Sequence, residues 1–170
     1  MARSIWILRH AKAAPEASAG DASRPLTARG LRQADSVREH IEGLRQSGER
    51  TPQLVLCSPA TRAMQTAERV TPALPAARLE IERVLYTEPA SGVISWIRDL
   101  DPDEPVLMLV GHNPTLLEIC LALADTDDSR SLDAGLPTAG LVTLSVPEAK
   151  NWKNLATGSA RIAHLFCPQR

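Results

Sequence analysis

The chain alternates short apolar runs with segments of helical periodicity, and few architectures accept that alternation. Runs at Ser4–Leu8, Leu54–Cys57, Leu79–Leu85, Val106–Val110, Leu141–Val146 and Ala160–Phe166 have the length of strands. The middle runs are apolar on both alternations, as expected of strands covered by helices on both faces. Between the first two, residues 26–48 carry Leu31, Ala34, Val37, Ile41 and Leu44 on one helical stripe, with Thr27 as cap and Gly48 as stop. Residues 59–74 and 114–124 predict two further helices, and residues 89–100 a shorter one. Residues 147–160, between the last two runs, are polar and turn-rich, which predicts an antiparallel pair. The pattern predicts one α/β domain over residues 1–170. It has three layers, α/β/α, with a mostly parallel sheet and one antiparallel strand.

Composition narrows what such a domain does. A chain of 170 residues buries enough surface to need no disulfide or metal staple. Its 19 basic and 20 acidic residues leave a formal charge of −1, which gives no general attraction to nucleic acid or anionic lipid. Aromatic residues are 3% of the chain, too few for stacking platforms on single-stranded nucleic acid. Cys57, Cys120 and Cys167 show no metal or redox spacing and read as small buried apolar residues. The expectation is a reduced, cytoplasmic protein without cofactor, metal or membrane segment. The sequence is silent on oligomeric state.

Three of the runs end in groups suited to chemistry. The first runs off into Arg9-His10, the second into Ser58-Pro59 with Arg62 one turn later, and the fourth into Gly111-His112-Asn113-Pro114. Ser58 and Asn113 read as N-caps, with Pro59 and Pro114 as first helical residues. In open α/β sheets ligands bind at the carboxyl ends of strands. Two arginines, two imidazoles and two helix N-termini brought to that edge would form a cationic cup for a phosphoryl group. A neutral imidazole there is a competent nucleophile toward phosphorus, and neighbouring cations keep it neutral. The chemistry this implies is phosphoryl transfer to histidine followed by hydrolysis, with arginines in place of a metal.

The stretches "LRHAKA", "RPLTARGLRQA", "CSPATRAMQTAE" and "LVGHNPTL", in that order over residues 5–123, resemble the signatures of the histidine phosphatase (phosphoglycerate mutase-like) superfamily. The resemblance is strongest to its SixA-type phosphohistidine phosphatases, and "GLPTAGLVTLSVP" continues it. It implies that His10 is the phosphorylated nucleophile, with Arg9, Arg62 and His112 as the phosphate pocket. It implies a phosphorylated protein or a small phosphate ester as substrate. Alternatives are a small-molecule phosphomonoesterase or mutase, or a module that only binds phosphate or phosphoproteins. Many members read Arg-His-Gly, whereas this chain reads Arg-His-Ala-Lys. Lys12 then either adds charge to the pocket or is simply solvated. The general acid is Glu88, at the place where the mutase-like branch has a glutamate, or Asp21, or none. Arg24 touches substrate or pairs with Asp21. His40 and His164 read as surface or core residues, and Trp6, Trp96 and Trp152 as packing. The irregular residues 11–25 are the only stretch long enough to fold over the pocket.

Overall fold

The computed structural model describes residues 2–15, 18–147, 149 and 151–169. Six strands, β1 (Arg3–Arg9), β2 (Leu54–Cys57), β3 (Arg78–Ile81), β4 (Val106–Gly111), β5 (Leu141–Val146) and β6 (Arg161–Phe166), form one sheet in the order β3-β2-β4-β1-β5-β6. β5 runs antiparallel to both of its neighbours, β1 and β6, and the other pairings are parallel. This is the mostly parallel sheet with one reversed strand that the sequence predicts.

Among the described residues six helices flank it: α1 (Ala28–Gln46), α2 (Thr61–Val70), α3 (Val84–Thr87), α4 (Ala90–Leu100), α5 (Thr115–Leu123) and α6 (Thr126–Ser129). The alternation of β1 assigns its two faces. Trp6 and Leu8 pack with Ala34, Val37 and Ile41 of α1 and Ala63, Ala67 and Val70 of α2. Ile5 and Ile7 pack with Val93, Ile94 and Ile97 of α4 and Ile119 and Leu123 of α5. Trp152 is fully buried in the second layer, its indole N–H donating to the Glu104 carbonyl at 2.9 Å. Thr27 caps α1 by accepting from the Gly30 N–H at 3.1 Å, and Gly48 ends it at φ +90°. No helix of the described residues is long and apolar enough to cross a membrane.

The connections set up a crevice. β1 feeds α1 on one face, while its neighbour β4 feeds α5 on the other. Adjacent strands whose outgoing helices diverge leave a gap at their carboxyl ends, the switch point where α/β proteins bind ligands. His10 and His112 follow those two strands, with Arg9 in register with Gly111.

Three boundaries differ from expectation. The run Leu79–Leu85 is a strand only to Ile81, because its partner β2 ends at Cys57. The Glu82 N–H makes the last bond to the Cys57 carbonyl, and Val84-Leu85 turn into α3. Neither Ser58 nor Asn113 is an N-cap: those positions are held by Ala60 and Pro114, without side-chain caps. Pro59 and Pro114 accordingly precede the first helical residues, Thr61 and Thr115. Cys57 and Cys120 are buried, and burial pushes both thiols up to about 12. Cys167 is exposed, because it lies beyond the last strand.

Candidate active site

His10 leaves β1 with its backbone N–H still bonded to the Gly111 carbonyl at 3.0 Å, so the sheet fixes its position. His10 is 9% exposed, and its Nδ1 lies 2.8 Å from the Ala11 carbonyl. A carbonyl oxygen only accepts, so Nδ1 carries the proton and the lone pair is on Nε2. Burial, reinforced by the charges of Arg62, Arg9 and Arg24 and opposed by the Ala11 bond, pushes the imidazole down to about 4. His10 is therefore neutral at physiological pH.

His112 follows β4, with its ring centroid 5.1 Å from that of His10. Its Nε2 is 2.7 Å from Ser58 Oγ. Ser58 Oγ also accepts from the Ala60 N–H at 3.3 Å, so the hydroxyl bridges the start of α2 and the His112 ring. Burial, then the neighbouring His10 and Arg62, brings His112 down to about 3. Ser58 thus serves the site and is not the helix N-cap. Its backbone stays tied to the Val110 carbonyl, and so α2 starts two residues after Pro59.

Arg62, one turn into α2, is 6% exposed. Its Nη1 donates to the Asp21 carbonyl at 2.7 Å and its Nη2 to Asp21 Oδ2 at 2.9 Å. These bonds use two of the five guanidinium donors. Asp21 also accepts from Arg24 Nη1 at 2.9 Å and from the Tyr86 hydroxyl at 3.0 Å. The bonds from Arg62 and Arg24 hold its carboxyl well below the usual carboxylate range. Arg24 donates through Nε to the Ala14 carbonyl at 2.7 Å, so the arginine pairs with Asp21 and braces its own loop. The stretch 11–25 does reach the site through Asp21; its Glu16 and Ala17 lie outside the described residues.

Arg9 ends β1 and donates from Nη1 to the Leu136 carbonyl at 2.8 Å. Among the described residues, three polar side-chain atoms of this cluster are buried without a partner: Arg9 Nε, Arg62 Nε and His112 Nδ1. The two arginine atoms are N–H donors, and the third is a ring nitrogen of His112. The structure thus brings together Arg9, His10, Arg62, His112, Asp21 and Arg24. Lys12 is exposed, and its contacts run through its backbone to Gln33 and Thr27. Glu88 is exposed at the end of α3 beside Gly92, and makes no hydrogen bond to this cluster among the described residues. Nor do those residues contain a group of three His, Cys, Asp or Glu side chains able to hold a metal ion.

Sequence reasoning missed several supports. Thr66 takes the Ala11 N–H at 3.0 Å and donates to the Arg62 carbonyl at 2.7 Å, tying the loop after His10 to α2. Tyr86 sets its ring edge-on to His112 at 5.5 Å. The loop 136–140 braces β1: the Leu136 carbonyl also takes Asn113 Nδ2 at 2.9 Å. Ala139, at φ +58°, donates its N–H to the Arg9 and His10 carbonyls. A non-glycine residue at positive φ is strained by roughly 1–3 kcal/mol, and here it holds the backbone of the site. None of these has a periodicity or spacing signature. Only the stretch "GLPTAG" hints at the last.

Comparisons with known proteins place the chain in a family. Residues 5–85 match the family model of the histidine phosphatase superfamily (branch 1). An uncharacterized protein of Mycobacterium tuberculosis is 30% identical over 167 residues, covering 95% of this chain and 100% of the relative. The structure of a "putative phosphohistidine phosphatase SixA" from Agrobacterium tumefaciens superposes with a TM-score of 0.82 at 26% identity, over 99% of both chains. A second structure so described, from Nakamurella multipartitia, gives a TM-score of 0.82 at 22% identity, over 99% of this chain and 97% of that one. The chain belongs to the histidine phosphatase superfamily and is a phosphatase of its SixA-like branch.

Proposed function

We propose that the chain hydrolyses phosphohistidine in proteins, through a phosphoryl group carried on His10 Nε2 and without a metal. The observation that carries this reading is the His10 Nδ1 bond to the Ala11 carbonyl. It leaves Nε2 unprotonated and fixed in direction, inside a ring of cationic and N–H donors. Nε2 attacks phosphorus, a P–N bond to His10 forms, and the bond to the leaving group breaks. Water then attacks the phosphohistidine, releasing phosphate and restoring the neutral ring. Arg9 and Arg62 neutralise the phosphoryl oxygens, and His112, proton on Nδ1, donates to an oxygen as charge develops. Asp21 orients Arg62. Its carboxyl is too acidic to serve as proton donor at neutral pH.

Substrate class follows from what the site lacks and what its relatives are. With Asp21 held ionised and Glu88 outside the cluster, a leaving group that needs little proton assistance is the best match. Imidazole is such a group, because its second ring nitrogen takes a proton from solvent and the ring leaves neutral, whereas an alkoxide has no such site. The likeness to the two structures described as phosphohistidine phosphatases supports the same choice. With excess EDTA present, kcat/KM for a phosphohistidine peptide should exceed that for 3-phosphoglycerate and sugar phosphates by at least about 100-fold. Glu88→Gln should leave the phosphohistidine value within about twofold. Loss of activity in EDTA with recovery on adding a divalent ion would overturn the metal-free reading. Preference for one small ester would overturn the substrate.

A pH profile tests the neutral nucleophile. The folded value for His10 is about 4 against an ordinary 6.5. The acid limb of kcat/KM on p-nitrophenyl phosphate should therefore fall near 4, and a limb near 6.5 would contradict the assignment. Stability follows the same shift. Between those values the unfolded chain binds the proton and the folded one does not, so stability is lost as pH falls through that window.

A further inference from the structure

A cleft of about 400 Å3 adjoins the phosphate site, lined by Ala22, Pro59, Ala60, Ile81, Arg83 and Tyr86. Its walls are continuous with the site through the chain itself. Ala22 follows Asp21, Pro59 follows Ser58, and Tyr86 both donates to Asp21 and packs on His112. Ile81 is 46% and Tyr86 40% exposed, so two large apolar side chains face water beside a polar site. Arg83 is exposed, and among the described residues its guanidinium has no hydrogen-bond or ion-pair partner. The other site cations differ in this respect: Arg9, Arg24 and Arg62 are each bonded to protein oxygens.

We propose that the cleft formed by Ile81, Tyr86, Pro59 and Ala22 is a docking subsite for the residues flanking the phosphohistidine of a protein substrate. It takes one apolar side chain, and Arg83 meets an acidic group at its rim. The proposal rests on the phosphohistidine reading and extends it to sequence preference. Two ring-to-ring steps, 5.1 Å from His10 to His112 and 5.5 Å from His112 to Tyr86, separate the nucleophile from this wall. A phosphoryl group on His10 has no apolar side chain to fill the cleft, and neither has a three-carbon ester. A polypeptide advances about 3.3–3.6 Å per residue, so side chains one to three positions from the phosphohistidine reach the cleft. The cleft's apolar lining with a single cation at its edge is unsuited to sugars, which need several polar partners, and complements an apolar residue with an acidic neighbour.

The test uses blocked peptides with a central phosphohistidine. In one the flanking residues are leucine with glutamate beyond them; in the other they are serine with lysine beyond. Phosphoimidazole serves as the small control. Wild type should cleave the leucine–glutamate peptide with kcat/KM about tenfold above the serine–lysine peptide, the scale expected for seating one apolar side chain. Ile81→Ser and Arg83→Glu, both at exposed positions, should each remove most of that preference through KM and leave phosphoimidazole hydrolysis unchanged. Equal rates on the two peptides, or a preference that survives both substitutions, overturns the subsite while phosphohistidine hydrolysis stands. Failure of wild type to cleave either peptide or phosphoimidazole overturns the substrate reading and the subsite with it.

Discussion

His10→Ala should reduce turnover of p-nitrophenyl phosphate to background, a loss of about 10^5–10^6-fold, the scale seen when a covalent nucleophile is deleted. The size of the effect follows from the division of labour. In the proposed mechanism Arg9, Arg62 and His112 stabilise charge and only His10 Nε2 attacks phosphorus. The variant should still fold. The His10 side chain makes one hydrogen bond, to its neighbour's carbonyl, and its backbone bond to Gly111 is unaffected by the substitution. Rapid quenching at neutral to alkaline pH after mixing with a phosphoryl donor should leave acid-labile phosphate on wild type and none on the variant. Equal labelling of both proteins would remove His10 from the mechanism.

Arg62→Ala is expected to lower kcat/KM by about 10^2–10^3, as when a preorganised donor to a developing charge is removed. Two separate contributions are lost. One is the guanidinium whose buried, unpartnered Nε is the donor proposed to meet a phosphoryl oxygen. The other is the anchor of Asp21, which Arg62 holds by both its carbonyl and its carboxylate. Without that anchor the Asp21 carboxylate keeps the bonds from Arg24 and Tyr86. Arg62→Lys should recover only part of the loss. A single ammonium supplies charge but cannot make the two Asp21 bonds and serve phosphate at once. A decrease below about threefold for Arg62→Ala, with a lowered melting temperature, would show that Arg62 is an anchor alone.

The comparison of sequence with structure turns on what kind of information each residue carries. Periodicity found β1, β2, β4, β5 and most of α1, α2, α4 and α5, because each buries a face and burial imposes its period on the chain. The run Leu79–Leu85 defeated the same reasoning. Its apolar residues serve two elements, β3 and α3, and only the end of β2 at Cys57 decides where one stops. Ser58 and Asn113 followed a valid local rule for caps, but tertiary partners outbid the helix for their side chains. His112 took the first and the Leu136 carbonyl took the second. Asp21 was legible as a polar residue near the nucleophile. Its ionised state was not, because that depends on Arg62, forty-one positions away.

By itself the sequence determined the α/β class, the mixed sheet and the family. It also marked the strand ends where Arg9, His10 and His112 sit, because strand ends are local events and the motifs there are short and ordered. Tertiary structure alone decided that β1 and β4 are neighbours whose helices diverge to opposite faces, and this is what turns three separate strand ends into one crevice. It also decided the tautomer of His10, the pairing of Asp21 with Arg62, and the cleft beside Tyr86. Each of these depends on groups distant in the chain whose distances are fixed only when the two layers pack against the sheet.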